Sequence, residues 1–314
     1  MNNSNDSSVN DFLLLGFSIL GKTPTLLFLI FSLTYGTILA FNITIMSVIL
    51  LDRTLHCPMY FLLFALSVSE TCTTFVTIPK LLMTLWTGRQ SISLVGCATQ
   101  MFCFFSLGAN NCFLLVAMSY DRYAAICYPL QYQVLMEKRV CIKLVAASCV
   151  TGCFISLVIC ILIFRLPFCG PNRIQHFFCD ISPVLSLTCI DTYLTNLGIV
   201  LLCALVLLGT VLLISISYFY IISAILRICS SLRRRKAFST CASHLTVVIT
   251  HFSCACFVYL RPKAASSLDQ DTLISTVYVF LTPLLNPLIY TLRNKEVKLS
   301  IQKLIRNSFC SQNL

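Results

Sequence analysis

Met118-Ser119-Tyr120-Asp121-Arg122-Tyr123-Ala124-Ala125-Ile126-Cys127-Tyr128-Pro129-Leu130 follows directly on a long uncharged run of helical character. The stretch sets an acid beside an arginine where an apolar segment meets water. Such a pair is costly there unless something must happen at that membrane face. The run before it, Leu94 to Tyr120, is long enough to cross a bilayer, which takes roughly 20 predominantly apolar residues. The fold is therefore sought in a membrane, with Arg122 at a signalling end.

Composition agrees. Of 314 residues, 58% are hydrophobic and 11% charged, and the mean hydropathy is +0.88, outside the balance of a soluble domain. Seven spans are read between the charges, at about 23–51, 58–79 (interrupted by Glu70), 94–120, 144–164, 192–226, 237–260 and 272–292. An all-α seven-helix bundle follows, in one domain covering 1–314, because no repeat or linker interrupts it. An odd number of spans puts the termini on opposite sides, and cytoplasmic loops carry the excess of Lys and Arg. Of the 22 such residues, 15 fall on the side of Arg53, Arg122 and Lys303, and seven on the side of Lys80, Arg89 and Arg165. This predicts a multi-pass plasma-membrane protein with an extracellular N-terminus, 1–22, and a cytoplasmic tail, 293–314. The net charge of +11 is then a topology signal with some attraction to membrane lipid, and nucleic acid is not implied.

Residues 1–12 are polar and lack the regions of a cleavable signal peptide, so the first span is expected to direct insertion. Asn5-Asp6-Ser7 and Asn2-Asn3-Ser4 are acceptor sequons, Asn5 the expected glycosylation site and Asn2 the poorer one, close to the end. Of nineteen cysteines, four fall on the outer side: Cys97 at the outer end of the third span, and Cys169, Cys179 and Cys189. The last three belong to the long 165–191 connection, which reads as a stapled lid. Four cysteines permit three pairings, and spacing does not choose among them. A soft-metal site at His176, Cys179 and Asp180 would need a thiolate that a disulfide consumes, so no metal is expected, and no cofactor. Past the seventh span, Val297, Ile301, Leu304 and Ile305 share one face, which predicts a short amphipathic helix along the interface.

Two features inside the spans need partners. Glu70 lies halfway through the second span, where a charge costs roughly 2.5–3.5 kcal/mol on insertion scales. Asn42, Asn111 and Asn286 are candidate amide donors to it, and a protonated Glu70 and a bound ion are both open. Asn286-Pro287 removes a backbone hydrogen bond from the seventh helix, predicting a kink with a polar side chain at the gap.

Four blocks, taken together, carry a resemblance: Leu55-His56-Cys57-Pro58-Met59-Tyr60-Phe61, Asp121-Arg122-Tyr123, Lys236-Ala237-Phe238-Ser239-Thr240-Cys241-Ala242-Ser243-His244-Leu245, and Pro283-Leu284-Leu285-Asn286-Pro287-Leu288-Ile289-Tyr290-Thr291-Leu292-Arg293-Asn294. In this order and spacing they resemble the signature blocks of vertebrate olfactory receptors, rhodopsin-like (class A) G-protein-coupled receptors. The outer loop, Leu166 to Asn172 and His176 to Asp180, is similar to that of the tetrapod-type subgroup. The resemblance implies disulfides Cys97–Cys179 and Cys169–Cys189. It implies a switch in which Arg122 is released from Asp121 and, with Tyr218 and Tyr290, opens a crevice for a stimulatory olfactory-type heterotrimeric G protein, raising cyclic AMP. It makes Asn286-Pro287 a hinge. His244 near this face reads as a packing histidine or a proton-sensitive element. The tract Arg233-Arg234-Arg235-Lys236 reads as a lipid-facing anchor or a G-protein contact.

On the third span Phe104, Phe105, Gly108, Ala109 and Cys112 follow i, i+3, i+4 spacing, aromatic above and small below, which suits either helix packing or a cavity. The resemblance favours a cavity, lined also by Leu202 and Val206 from the fifth span, Phe252 and Tyr259 from the sixth, and Thr276 and Val279 from the seventh. Such a pocket suits a volatile, uncharged odorant, with Tyr259 or Thr276 giving one orienting hydrogen bond. Phe41, Ser119 and Glu137 depart from the family pattern and touch only fine packing. An accessory trafficking factor is an expected partner, and no catalysis is expected.

Three rivals fit less well. A non-olfactory class A receptor for an amine would place an acid where Phe104 and Phe105 stand. A seven-helix transporter would show paired intramembrane charges or inverted repeats. A retinal-type photoreceptor would need a lysine in the seventh span, which has none.

Overall fold

The computed structural model describes residues 11–17, 24–169, 172–260, 268–293 and 295–311. In chain order its elements are β1 (Asp11–Leu14), α1 (Pro24–Leu51), α2 (Pro58–Thr87), β2 (Ser91–Ser93), α3 (Leu94–Cys127), α4 (Tyr132–Leu135), α5 (Lys138–Phe164), β3 (Arg173–Ile174), α6 (Ile181–Leu185), α7 (Tyr193–Leu226), α8 (Ser231–Tyr259), α9 (Leu268–Arg293) and α10 (Lys295–Ser311). Seven helices, α1, α2, α3, α5, α7, α8 and α9, are long and apolar enough to cross a membrane. α10 is the short helix after the last span.

Helix ends shift from the expected ones for local reasons. α2 runs through Pro79 and stops at Gly88, whose φ of 70° supplies the left-handed turn that closes a helix. A proline need not end a membrane helix when neighbours serve the loosened backbone; Pro79 takes the i+4 donor from Phe75 O, and Gln100 of α3 donates to the next carbonyl, Val76 O, at 2.9 Å. α8 begins at Ser231, so the basic tract is helical; Arg234 and Arg235 are exposed, and the side chains of Arg233 and Lys236 lie outside the described residues.

α3 is the central helix, packing against α2, α5, α7 and α8. In a bilayer, helices are held by close van der Waals approach and interhelical hydrogen bonds, so interfaces favour small residues. α5 supplies them. Ser148, Gly152 and Ser156 are buried at four-residue intervals, and Ser156 Oγ donates to Phe102 O at 2.7 Å. A Cβ on Gly152 would stand 2.5 Å from Ser106 O. Asn110 ties three helices together, donating to Ser69 Oγ at 2.9 Å and accepting from Cys149 Sγ at 3.4 Å.

One end of the bundle is closed by a small sheet of order β2-β1-β3. β1 pairs antiparallel with β2 (Phe12 opposite Ile92) and parallel with β3 (Leu14 opposite Ile174). Phe12 and Leu14 are buried beneath it with Phe177 and Phe178. No strand is expected from the sequence at Asp11–Leu14, where four residues carry too little alternation to show one. Cys97 bonds Cys179, with Cα atoms 5.5 Å apart, and Cys169 bonds Cys189, at 5.2 Å. His176 Nδ1 lies 3.1 Å from Phe178 O, so its ring is used within the lid. No group of three metal-ligating side chains occurs among the described residues.

At the opposite end α10 docks on the α1–α2 connection. Asp52 accepts from Ser300 Oγ at 2.7 Å, Thr54 Oγ1 at 2.9 Å and Thr54 N at 3.1 Å, and the Ser300 bond foremost lowers its pKa to about 2. Tyr60 OH donates to Glu296 Oε2 at 2.7 Å. Val297 is buried against the bundle, with Ile301 and Leu304 half-buried beside it; the side chain of Ile305 lies outside the described residues.

Candidate functional site

A cavity of about 60 Å³ lies in the half of the bundle nearer the sheet. α3 builds one wall with Phe104, Phe105, Gly108, Ala109 and Cys112, one helical stripe facing inward. Ile155 and Ile159 come from α5, Cys203, Val206 and Leu207 from α7, Ala255 and Tyr259 from α8, and Tyr278 from α9. The walls are apolar apart from the two phenols. Phe178 of the lid packs at a tilt against Phe104, ring centres 4.8 Å apart, so the lid rests on the wall residue nearest the sheet.

A second, smaller cavity of about 20 Å³ lies deeper. It shares Phe104, Gly108 and Tyr278 with the first, but its other walls are Glu70, Thr73, Asn111, His251, Thr282 and Pro283. Asn286 Nδ2 donates to Glu70 Oε1. His251 Nε2 lies 3.5 Å from Cys112 Sγ. Asn111 Oδ1, His251 Nδ1 and Thr282 Oγ1 are buried without a hydrogen-bond partner.

At the α10 end, Arg122 donates through Nη2 to Asp121 Oδ2 at 2.9 Å, and Tyr132 OH donates to Asp121 Oδ1 at 2.8 Å. Burial, and then the charge of Asp121, raise the Tyr132 pKa, which keeps that hydroxyl a donor. Across the bundle, Tyr218 OH stands 2.7 Å from His244 Nδ1 and 3.3 Å from Cys241 O. α7 and α8 are thus clasped at this end, and Arg122 is held within α3.

An acid–arginine pair at one end, a lidded apolar cavity at the other and seven membrane-length helices between them describe a receptor. A family model described as olfactory receptor matches residues 31–308. The chain belongs to the olfactory receptor family. It is 52% identical over 309 residues to human olfactory receptor 10K1, covering 98% of this chain and 99% of that one. It is 50% identical over 297 residues to human olfactory receptor 10T2 (95% and 94%), and 49% identical over 301 residues to mouse olfactory receptor 10J5 (95% and 96%). As an olfactory receptor it is a G-protein-coupled odorant receptor of the plasma membrane and not an enzyme.

Within this olfactory receptor the expected cavity residues divide. The five α3 residues, Val206 and Tyr259 line the cavity, while Leu202, Phe252, Thr276 and Val279 do not. On α7 the inward face is Cys203, Val206 and Leu207, one residue round from Leu202. Phe252 packs against the His251 ring, centres 5.4 Å apart. Thr276 Oγ1 donates to Thr272 O of its own helix at 2.7 Å, so its proton is engaged within α9. Val279 is buried among the lid-side apolar residues with Phe280.

Glu70 receives one of its three candidate donors. Asn42 turns elsewhere, donating to Pro283 O at 3.1 Å and Ile38 O at 3.0 Å, and Asn111 stands in the same chamber without bonding Glu70. Tyr123 points away from Arg122, among the rings of Tyr120, Tyr128 and Tyr220. α9 continues through Pro283 and Pro287. The Tyr290 side chain and both sequons, Asn2 and Asn5, lie outside the described residues. Tyr278 is the wall residue that the sequence did not single out. Its ring meets Phe104, Tyr259 and His251 edge-on, and its place eight residues before Asn286 was the available signal.

Proposed function

We propose that this receptor takes a small, uncharged volatile molecule into the 60 Å³ cavity and, once occupied, opens at the Arg122 end to a stimulatory olfactory-type G protein, raising cyclic AMP. In this reading the N-terminus is extracellular and the tail cytoplasmic, as the distribution of Lys and Arg favours, Asn5 is glycosylated, and an accessory factor assists delivery to the surface. The observation that carries it is the apolar, lidded cavity walled by α3. Its size suits a compact ligand, and its walls bear no charge. The Tyr259 phenol supplies one donor, fitted to an acceptor oxygen such as a carbonyl. Release of Arg122 from Asp121 is the switch, because a ligand shifts the equilibrium only by binding the open and closed bundles differently.

The test is a dose–response series in a cyclic-AMP reporter at matched surface expression. Gly108 borders the cavity, where an added Cβ would meet only Tyr278 OH, at 3.9 Å. Gly108→Leu should fill the space and silence every odorant; normal responses across the panel would show that the pocket lies elsewhere. Tyr259→Phe should weaken carbonyl odorants by about 0.5–1.5 kcal/mol, roughly two- to tenfold, and spare hydrocarbons.

A further inference from the structure

The two cavities are separated by little. They share Phe104, Gly108 and Tyr278, and because Gly108 has no side chain, the rings of Phe104 and Tyr278 are the shared side chains at their border. The deeper chamber is small, about 20 Å³, room for about one water-sized group by that measure. Its polar walls are incompletely satisfied. Asn111, His251 and Thr282 are at least nine-tenths buried, and Asn111 Oδ1, His251 Nδ1 and Thr282 Oγ1 have no partner. An unpaired buried polar atom is costly, so such a set selects for a group that completes it.

We infer that the deeper chamber is the head-group subsite of the odorant pocket and that it selects primary alcohols. The hydroxyl would pass Tyr278 into the chamber while the alkyl chain stays in the apolar cavity. This rests on the proposed pocket. The selectivity follows from hydrogen-bond capacity. Thr282 Oγ1–H can donate and Asn111 Oδ1 can accept, so the matching group must both accept and donate. A hydroxyl does both, an ether or carbonyl oxygen only accepts, and an alkyl group does neither. Sites built this way discriminate strongly against analogues that leave their polar atoms unpaired.

The experiment compares a linear primary alcohol, its methyl ether and the matching alkane on the full receptor by cyclic-AMP dose–response at matched surface expression. Thr282→Val keeps the shape and removes the donor. It should lower alcohol potency about three- to tenfold and leave ether and alkane unchanged, a selective loss, and Thr282→Ser should restore the alcohol. If Thr282→Val does not reach the surface, Asn111→Ala makes the same comparison by removing the acceptor. Equal loss for all three ligands, no loss for the alcohol, or no response of the unmodified receptor to any primary alcohol overturns the assignment. Gly108→Leu separates the two readings. If it responds normally, the pocket itself is wrong; if it is silent while Thr282→Val is unselective, the pocket stands and the subsite falls.

Discussion

Pro287 has no N–H to offer the carbonyl of Pro283, and Asn42 makes good the loss from a residue 241 positions away in sequence. The proline-interrupted stretch of α9 is thereby anchored to α1 by a side chain that is buried completely. An interhelical hydrogen bond of this kind contributes about 1–2 kcal/mol at most in a bilayer. Asn42→Ala should destabilise the detergent-solubilised receptor by up to about that amount, read as a lower thermal midpoint. In a Pro287→Ala background, where the backbone regains its own donor, the same substitution should cost less. Equal costs in both backgrounds would show that Asn42 acts through packing and not through the orphaned carbonyl.

Between elements, the contact between α3 and α5 depends on the missing side chain at Gly152. Gly152→Val would drive new atoms into the Ser106 backbone carbonyl, and overpacking of this kind costs typically 1–3 kcal/mol. Reduced surface delivery and faster inactivation in detergent are expected, with Gly152→Ala milder than Gly152→Val; undiminished surface levels in both would mean that the helices part without cost. The seven spans were legible in the sequence because an apolar run of that length has few other uses. The cavity wall was partly legible. α3 mixes aromatic, small and polar residues, so spacing locates its inner face. α7 is apolar without interruption from Ile199 to Leu208, so its phase there is poorly marked, which is how Leu202 stands in for Cys203. The inner chamber was harder still, since orphaned atoms on Asn111 and Thr282 become visible only once four helices are brought together.

At the scale of the whole receptor, the ends of the bundle are fastened differently. Among the described residues, the sheet end has two disulfides and a three-stranded sheet, whereas the Arg122 end has two ion pairs and several hydrogen bonds, bonds that can exchange partners. Movement on activation is therefore expected at the Arg122 end. Arg122→Ala should abolish odorant-evoked cyclic AMP while leaving measurable receptor at the surface; full signalling from that variant would remove Arg122 from the switch. The sheet end has a further consequence, in time rather than space. β1 is made first, yet it is the middle strand, and its neighbours β2 and β3 lie 78 and 160 positions later in the register of Leu13. Closing such long loops is slow and cannot begin early. β2 follows the second span, but β3 follows the fourth, so until then the opening strand keeps at least one bare edge, the condition in which strands find wrong partners. The segment that seals the finished receptor is the one its nascent chain must shelter longest.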